Sequence, residues 1–446
     1  MTERLRRWSR WFAPGIGVKR WAVLLLAGIL LISAGAALIV NVQLLGWLEF
    51  VVFQAALSLL VLTGGSVSPS IFGGALIVLG AGLVIYGLRG TIQSIAGALL
   101  PRGDATLVDV LHQQRHRRRG RRIVAIGGGT GLSTLLRGLK EYTDHLTAVV
   151  TVFDDGGSSG RLRRELGILP PGDIRDCLVA LAESEPLMTR LFEYRFQGGG
   201  LDGHAFGNLF IASLAGVTGD LESAVKETSK VLNIRGRVLP SAVEDVMLVA
   251  SFDDGSVIEG ESEITHARRR IARVALKPAD VAPVPEVLQA IAEAELIVLG
   301  PGSLFTSVIP NLLVRGIADA IRANRQARCV YVCNVMTQPG ETEGFSASEH
   351  VRRLIDRVGP DLFSHVLVNV ERPRSRAVLS RYEAEGSIPV EPDLERIRAL
   401  GVVPVEGDLI SEEDVVRHDS ASVARALMRL LVAGAPVREP AVAQAR

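Results

Sequence analysis

The sequence predicts an α/β chain: a parallel sheet layered with helices, interrupted by an antiparallel hairpin insertion and preceded by N-terminal transmembrane helices. Three observations carry that reading. Apolar, strand-like runs alternate with stretches of helical periodicity from residue 121 onward. Glycine-rich turns stand where strands give way to helices. Residues 21–88 hold a single formal charge, Glu49, in a chain of 446 residues with 49 Lys and Arg against 48 Asp and Glu. A net charge of +1 names no partner, so the distribution of charge is more informative than its sum.

Six Lys or Arg crowd the first 20 residues, a basic arm (1–20) expected in the cytoplasm. A membrane region (21–90) follows, with apolar segments at 21–40, 44–62 and 71–88. The first, WAVLLLAGILLISAGAALIV, would span about 30 Å as a helix, the thickness of a bilayer core. A signal peptide has a shorter apolar stretch and is not followed by two more. All four tryptophans (Trp8, Trp11, Trp21, Trp47) lie at this end, as interfacial anchors do. The linker (91–120) runs into a second basic cluster, HQQRHRRRGRR at 112–122. Positive flanks on both sides require an even number of crossings. Two are expected, with one segment re-entrant, interfacial or fused to its neighbour. The expected location is the inner (cytoplasmic) membrane, with the C-terminal domain in the cytoplasm. The Arg run suits anionic membrane lipid head groups. It is short and lacks interleaved aromatics, so nucleic acid is not an expected partner. Transport is disfavoured because Glu49 is the only ionisable residue available for a substrate pathway.

A single nucleotide-binding domain is expected over 121–434. RRIVAI (121–126) reads as a buried strand entering GGGTGLSTLLRGLKEY, where Leu132, Leu135, Leu136 and Leu139 recur at helical spacing. Strand, glycine turn and helix together read as an anion site, because glycines permit close backbone approach and the helix start offers unpaired N–H groups, the alternative being a tight turn without a ligand. Gly127, Gly128, Gly129, Thr130 and Gly131 are the candidate phosphate ligands, though their spacing matches neither a clean dinucleotide fingerprint nor a Walker A loop. TAVVTVF (147–153) is the next strand. FDDGGSSGRL at its carboxyl end sets Asp154, Asp155, Ser158 and Ser159 on the rim where open parallel sheets bind ligands. Asp154 and Asp155 are candidate Mg²⁺ ligands, candidate catalytic groups, partners for sugar hydroxyls, or a turn and capping pair. Asp173 is expected to cap the helix after Pro170-Pro171-Gly172, with Asp176 one turn on.

GHAFGNLFIASL is expected to start a helix at its glycines, with His204 and Asn208 on one face, either facing a nucleotide or serving as a cap and a satisfied histidine. ELIVLGPGSLFTSVIPNLL repeats strand, turn and helix, so Gly300, Gly302, Ser303 and Thr306 are expected either to make a second anion contact facing the first across the crevice or to form a turn without a ligand. Asn334, Thr337, Gln338, Glu341 and Thr342 form either a polar rim for sugar hydroxyls or a solvated loop. FDDG recurs at 252–255, where alternating residues on both sides make Asp254-Gly255 a hairpin turn within an insertion from about Val246 to Ala275. Cys177, Cys329 and Cys333 are too few for a disulfide framework or a four-ligand zinc site. The tail, 435–446, is expected to be disordered.

GGGTGLSTLLRGLK, VFDDGGSSGRLRRELGILPPGDIRDCLVAL, GHAFGNLFIASL and GPGSLFTSVIPNLLV together closely resemble the YvcK-like gluconeogenesis factors, over roughly residues 121–434. These belong to a CofD-like superfamily whose enzymes are 2-phospho-L-lactate transferases. The resemblance implies a Rossmann-like CofD-type domain that binds UDP-glucose or UDP-N-acetylglucosamine. It implies a regulator of cell shape and envelope synthesis during gluconeogenic growth, with cell-envelope synthesis proteins as partners and no established reaction. The transferases imply an alternative, Mg²⁺-dependent transfer of a phospholactyl group from a guanosine diphosphate carrier to a deazaflavin alcohol. In them the stretch resembling Asp154-Asp155 lies near metal and acceptor. GPGSLFTSVIP stands where the transferases tend to show a Pro-Ser-Asn-Pro turn, and GHAFGN is characteristic of the YvcK-like branch. Recognition rather than catalysis is therefore expected at the acid pair.

Overall fold

The computed structural model describes residues 18–40, 69–99, 117–183, 186–412 and 415–432, with short helical pieces between 50 and 61. The chain divides into two compact units, Met1–Gln113 and Gln114–Arg446. In the first, α1 (Val18–Val40) lies against α2 (Pro69–Leu99). Their seam is made of glycine: a Cβ on Gly28 would stand 2.7 Å from the Gly80 carbonyl, and one on Gly35 2.5 Å from that of Gly73. Small residues allow such backbone approach between apolar helices. Val23, Leu26, Val78 and Ile85 point outward. Among the described residues, Ile71–Ser94 is long and apolar enough to cross a membrane, whereas the apolar stretch Trp21–Ala36 is shorter. Helix α2 continues to Leu99, past the expected boundary at residue 90. The basic arm up to residue 17, most of the middle apolar segment and the tail lie outside the described residues.

The second unit opens with β1 (Ile123–Gly127), α3 (Gly129–Leu139), β2 (Leu146–Val150), α4 (Gly157–Leu166), α5 (Gly172–Leu181), α6 (Phe206–Thr218) and β3 (Arg237–Pro240). An insertion follows: β4 (Met247–Phe252), β5 (Val257–Glu259), α7 (Glu261–His266) and β6 (Ile271–Lys277). The main sheet resumes with β7 (Leu296–Leu299), a π-helical turn at Leu304–Val308, β8 (Arg328–Val332), α8 (Ala347–Val358), β9 (His365–Asn369), α9 (Arg376–Ala384) and β10 (Val403–Gly407). A small antiparallel pair, β11 (Ile410–Glu412) and β12 (Val416–His418), precedes α10 (Ser420–Val432).

Seven parallel strands form one sheet in the order β10-β9-β8-β7-β1-β2-β3. Strands β1, β2, β7 and β8 are buried at every residue, as continuous apolar runs must be when helices cover both faces. Ile123 of β1 stands opposite Leu146 on one side and Leu296 on the other. The chain builds outward from β1 through β2 to β3, then returns to the opposite side at β7. The order reverses at the β1–β7 boundary, and the loops leaving these two strands open on the crevice where such sheets bind ligands.

Sequence and structure agree on the strands to within a few residues. The longest overrun is TAVVTVF: the β2 ladder ends at Val150, and the next N–H, of Thr151, donates to the Gly127 carbonyl at 3.0 Å. The second FDDG is a hairpin turn, with Gly255 at φ 81° and the Phe252 N–H donating to Ser256 at 2.9 Å. The insertion carries a third strand, β6, paired antiparallel to β4.

Tyr331 of β8 is fully buried, and its hydroxyl has no hydrogen-bond partner among the described residues. Leaving a buried polar group unpaired costs about 1–3 kcal/mol. Tyr331→Phe is expected to melt at the wild-type temperature or a few degrees higher. A lower melting temperature would mean that the hydroxyl has a partner.

Candidate functional site

The glycine turn after β1 is shaped by two neighbours. Gly129 adopts φ 62°, a conformation that favours glycine, and α3 starts there behind the N-cap Gly128, which has no side chain of its own to cap the helix. A Cβ on Gly131 would lie 2.5 Å from the Pro301 carbonyl, so the loops after β1 and β7 meet backbone to backbone. They lie side by side on adjacent strands rather than facing each other across the crevice. Gly127 is the last residue of β1, and its carbonyl accepts from Thr151 and from Asn311 Nδ2.

A cavity of about 320 Å³ opens in front of these loops, lined by Gly128–Gly131, Gly302, Ser303, Asn334, Gln338, Tyr382, Arg417 and His418 among others. Asn334 Oδ1 accepts the Gly302 N–H at 3.3 Å, and its Nδ2 donates to Gln338. Gln338 in turn donates to Ser303 Oγ at 2.7 Å. Of the expected polar rim, Asn334 and Gln338 line the cavity. Thr337 and Thr342 are buried and engaged with backbone N–H groups, so this stretch is not a solvated loop. Among the described residues Arg417 is the one guanidinium in the lining. His418 is half-buried, with Nε2 3.1 Å from the Cys333 carbonyl, and desolvation lowers its pKa to about 4, so it is neutral at physiological pH.

A second zone adjoins the same loop and is acidic. Carboxylate oxygens of Asp154, Asp155 and Glu261 lie within 4.8 Å of one another. Asp154 accepts the Gly156 N–H at 2.8 Å and a bond from Ser159. Asp155 accepts the Ser262 N–H at 2.8 Å, which ties the loop after β2 to α7 of the insertion. Gly260 lets that approach happen, since a Cβ there would strike the Asp155 carboxylate. Asp173 does not cap α5. Pro171 is the N-cap, and Asp173 reaches back to accept the Gly129 N–H, where it also excludes a side chain from Gly128. Glu341 is buried, receives Thr306 Oγ1 at 3.3 Å and the Phe305 N–H, and keeps Oε2 unpartnered among the described residues.

Burial, reinforced by Asp154 and Asp176, pushes Asp173 up to about 7. Burial and then Asp154 and Glu341 push Glu261 to about 7. Burial alone takes Glu341 to about 7 against its two hydrogen bonds. Each of these groups prefers its neutral form, which is what crowded carboxyls do without a counter-charge. The donors are all hard oxygens, a set that fits Mg²⁺ and not a soft metal.

Ser158, His204 and Asn208 are brought together, but on one another. Ser158 Oγ lies 3.0 Å from His204 Nδ1 and receives Asn208 Nδ2 at 3.1 Å. Helix α6 starts at Phe206, so His204 precedes it and the two residues do not share a helix face. Arg175 donates to Asn208 Oδ1 at 3.0 Å and pairs with Asp176. This buried set joins α4, α5 and α6 behind the acidic zone. Glu261, Tyr382 and Arg417 escaped the sequence reading. The acid-dense EGESE run was the only local signal for Glu261, and nothing near Tyr382 or Arg417 distinguishes them.

The family described as "2-phospho-L-lactate transferase CofD" matches residues 123–410. Proteins named gluconeogenesis factor from Halalkalibacterium halodurans and Bacillus subtilis are 49% and 48% identical over 308 and 312 residues. They cover 69% and 70% of this chain and 95% and 98% of their own. A Nostoc relative is 46% identical over 435 residues, covering 96% of this chain and 93% of its own. A crystal structure of a Bacillus halodurans protein superposes with a TM-score of 0.67 at 48% identity, over 69% of this chain and 99% of that one.

The raised carboxyls carry a pH signature. A group that holds its proton more tightly when folded stabilises the fold at low pH, and that contribution drains as pH rises from its ordinary value to its folded one. For Glu341 the window runs from 4.5 to about 7. Glu341→Gln should therefore lose less melting temperature than wild type between about pH 5 and about pH 8. Equal losses in the two proteins would contradict the assignment.

Proposed function

The chain belongs to the CofD family, within its gluconeogenesis-factor branch, and from that premise we propose that it is a membrane-anchored, UDP-sugar-binding regulator supporting envelope synthesis and cell shape during gluconeogenic growth. The observation that carries this reading is the 320 Å³ cavity at the β1–β7 switch point. A nucleotide sugar offers a diphosphate, a base and hydroxyls, and the cavity has a counterpart for each. The N–H groups opening α3 and the Arg417 guanidinium suit the diphosphate. The Tyr382 ring gives the base an aromatic surface. Asn334 and Gln338, each both donor and acceptor, suit sugar hydroxyls. UDP-glucose and UDP-N-acetylglucosamine both meet these requirements. Binding alone suffices for a regulator, whose ligand-dependent state is read by cell-envelope synthesis proteins. The apolar helix α2, seamed by glycine to α1, supports anchoring to lipid, and the proposal sets it in the inner membrane with the nucleotide-binding domain in the cytoplasm.

The acidic zone favours a second reading. Asp154, Asp155 and Glu261 would hold Mg²⁺, which supplies positive charge beside a diphosphate, as a transferase of phosphorus-containing groups requires. In either reading Asp155 does the same local work, fastening α7 to the rim through Ser262.

Thermal denaturation of the full chain in detergent separates the two. Ligand at a hundred times its Kd stabilises by about 2.7 kcal/mol. UDP-N-acetylglucosamine without Mg²⁺ should raise the melting temperature by several degrees, and Arg417→Ala should weaken that response about tenfold in concentration. Stabilisation by guanine nucleotides only, dependent on Mg²⁺ and lost in Asp155→Asn, would replace the regulator with the transferase.

A further inference from the structure

A second cavity, of about 350 Å³, opens between β6, α8 and the turn after β7. Its charged lining is Arg273, Arg353 and Arg357 against one carboxylate, Asp356, and its apolar wall is Val274, Phe305 and Ile309. Among the described residues none of the three guanidiniums stands within ion-pair distance of a carboxylate. Arg357 donates from Nη2 to the Val274 carbonyl at 2.9 Å, while its buried Nε has no partner among the described residues. Arg353 lies 5.7 Å over the Phe345 ring, which Arg270 also covers at 5.9 Å. Three guanidiniums against a single carboxylate around a concave, partly apolar space form a receptor for an anion, and guanidinium forks match phosphate oxygens best.

We propose that this arginine pocket binds a small phosphorylated molecule and that its occupancy sets the π-helical turn serving the nucleotide cavity. The volume admits a phosphate with a short organic body. The turn at Leu304–Val308 shows opposite faces to the two cavities. Phe305 and Ile309 line the arginine pocket, whereas Ser303 and Ser307 line the nucleotide cavity and Thr306 donates to Glu341. Its i→i+5 geometry, with the Val308 N–H donating to Ser303 at 2.9 Å, is the kind of irregularity that proteins keep at functional sites. An anion drawing Arg353 and Arg357 of α8 toward Arg273 of β6 closes the pocket over Phe305. It thereby restrains the segment that positions Ser303 and Thr306. This site stands independently of the ligand assigned to the nucleotide cavity.

Equilibrium dialysis of the full chain in detergent against labelled inorganic pyrophosphate tests the site. Whatever the nucleotide cavity takes up, wild type should bind one more pyrophosphate per chain than Arg273→Ala/Arg353→Ala, or bind it at least about tenfold more tightly. Asp356→Asn should tighten the same site severalfold, a gain that misfolding cannot produce. Pyrophosphate should also slow hydrogen exchange across residues 303–309 in wild type and not in the double variant. Equal uptake by wild type and double variant, or no tightening in Asp356→Asn, overturns the site. Unchanged exchange at 303–309 despite the extra pyrophosphate overturns the coupling.

Discussion

The contact between the loops leaving β1 and β7 is the constraint on which the rest of the site depends. At Gly131 the backbone presses on the Pro301 carbonyl so closely that no side chain fits between them. Two adjacent parallel strands thereby deliver two rows of backbone groups to one cavity. Each row is then fixed by a side chain from elsewhere: Asp173 of α5 holds the Gly129 N–H, and Asn334 after β8 holds that of Gly302. The sheet order makes this meeting possible, because the chain leaves β1 in one direction and returns to its other side.

The second determinant is electrostatic. Five carboxyls, Asp154, Asp155, Asp173, Glu261 and Glu341, gather beside a loop built to attract negative charge. Asp173 already occupies one of the N–H groups that an anion would seek, and it does so at a burial that favours its neutral form. The arrangement is poised: the acids are relieved by protons, by a cation, or by a ligand that bridges them to the amides. That poise is compatible with binding and with catalysis, and the difference lies in what the cavity beside it selects.

Local signals made the frame legible. Strand, glycine turn and helix at β1–α3 and at β7 are short-range patterns, and both stood where the periodicity placed them. The acid pair and the hairpin at Asp254-Gly255 were separable because one follows a buried strand and the other sits between alternating runs. Contacts between distant segments were not legible. Glu261 joins Asp155 only because the insertion folds back across more than a hundred residues, and Tyr382 and Arg417 reach the cavity from α9 and β12. Ser158 stood on the rim beyond a strand, and the spacing of His204 and Asn208 suited either a nucleotide or a satisfied pair. Their hydrogen bonds to one another become visible only once α4 and α6 are in place. Asp173 had the position of a cap, yet the loop after β1 offered its carboxylate a nearer donor.

A crystal structure with UDP-N-acetylglucosamine bound tests the central claim most directly. The diphosphate should then sit on the N–H groups of Thr130 and Gly131 at the start of α3, with Arg417 beside it and the uracil against Tyr382. A diphosphate held instead through a cation on Asp154, Asp155 and Glu261, with the Tyr382–Arg417 side of the cavity empty, would contradict it.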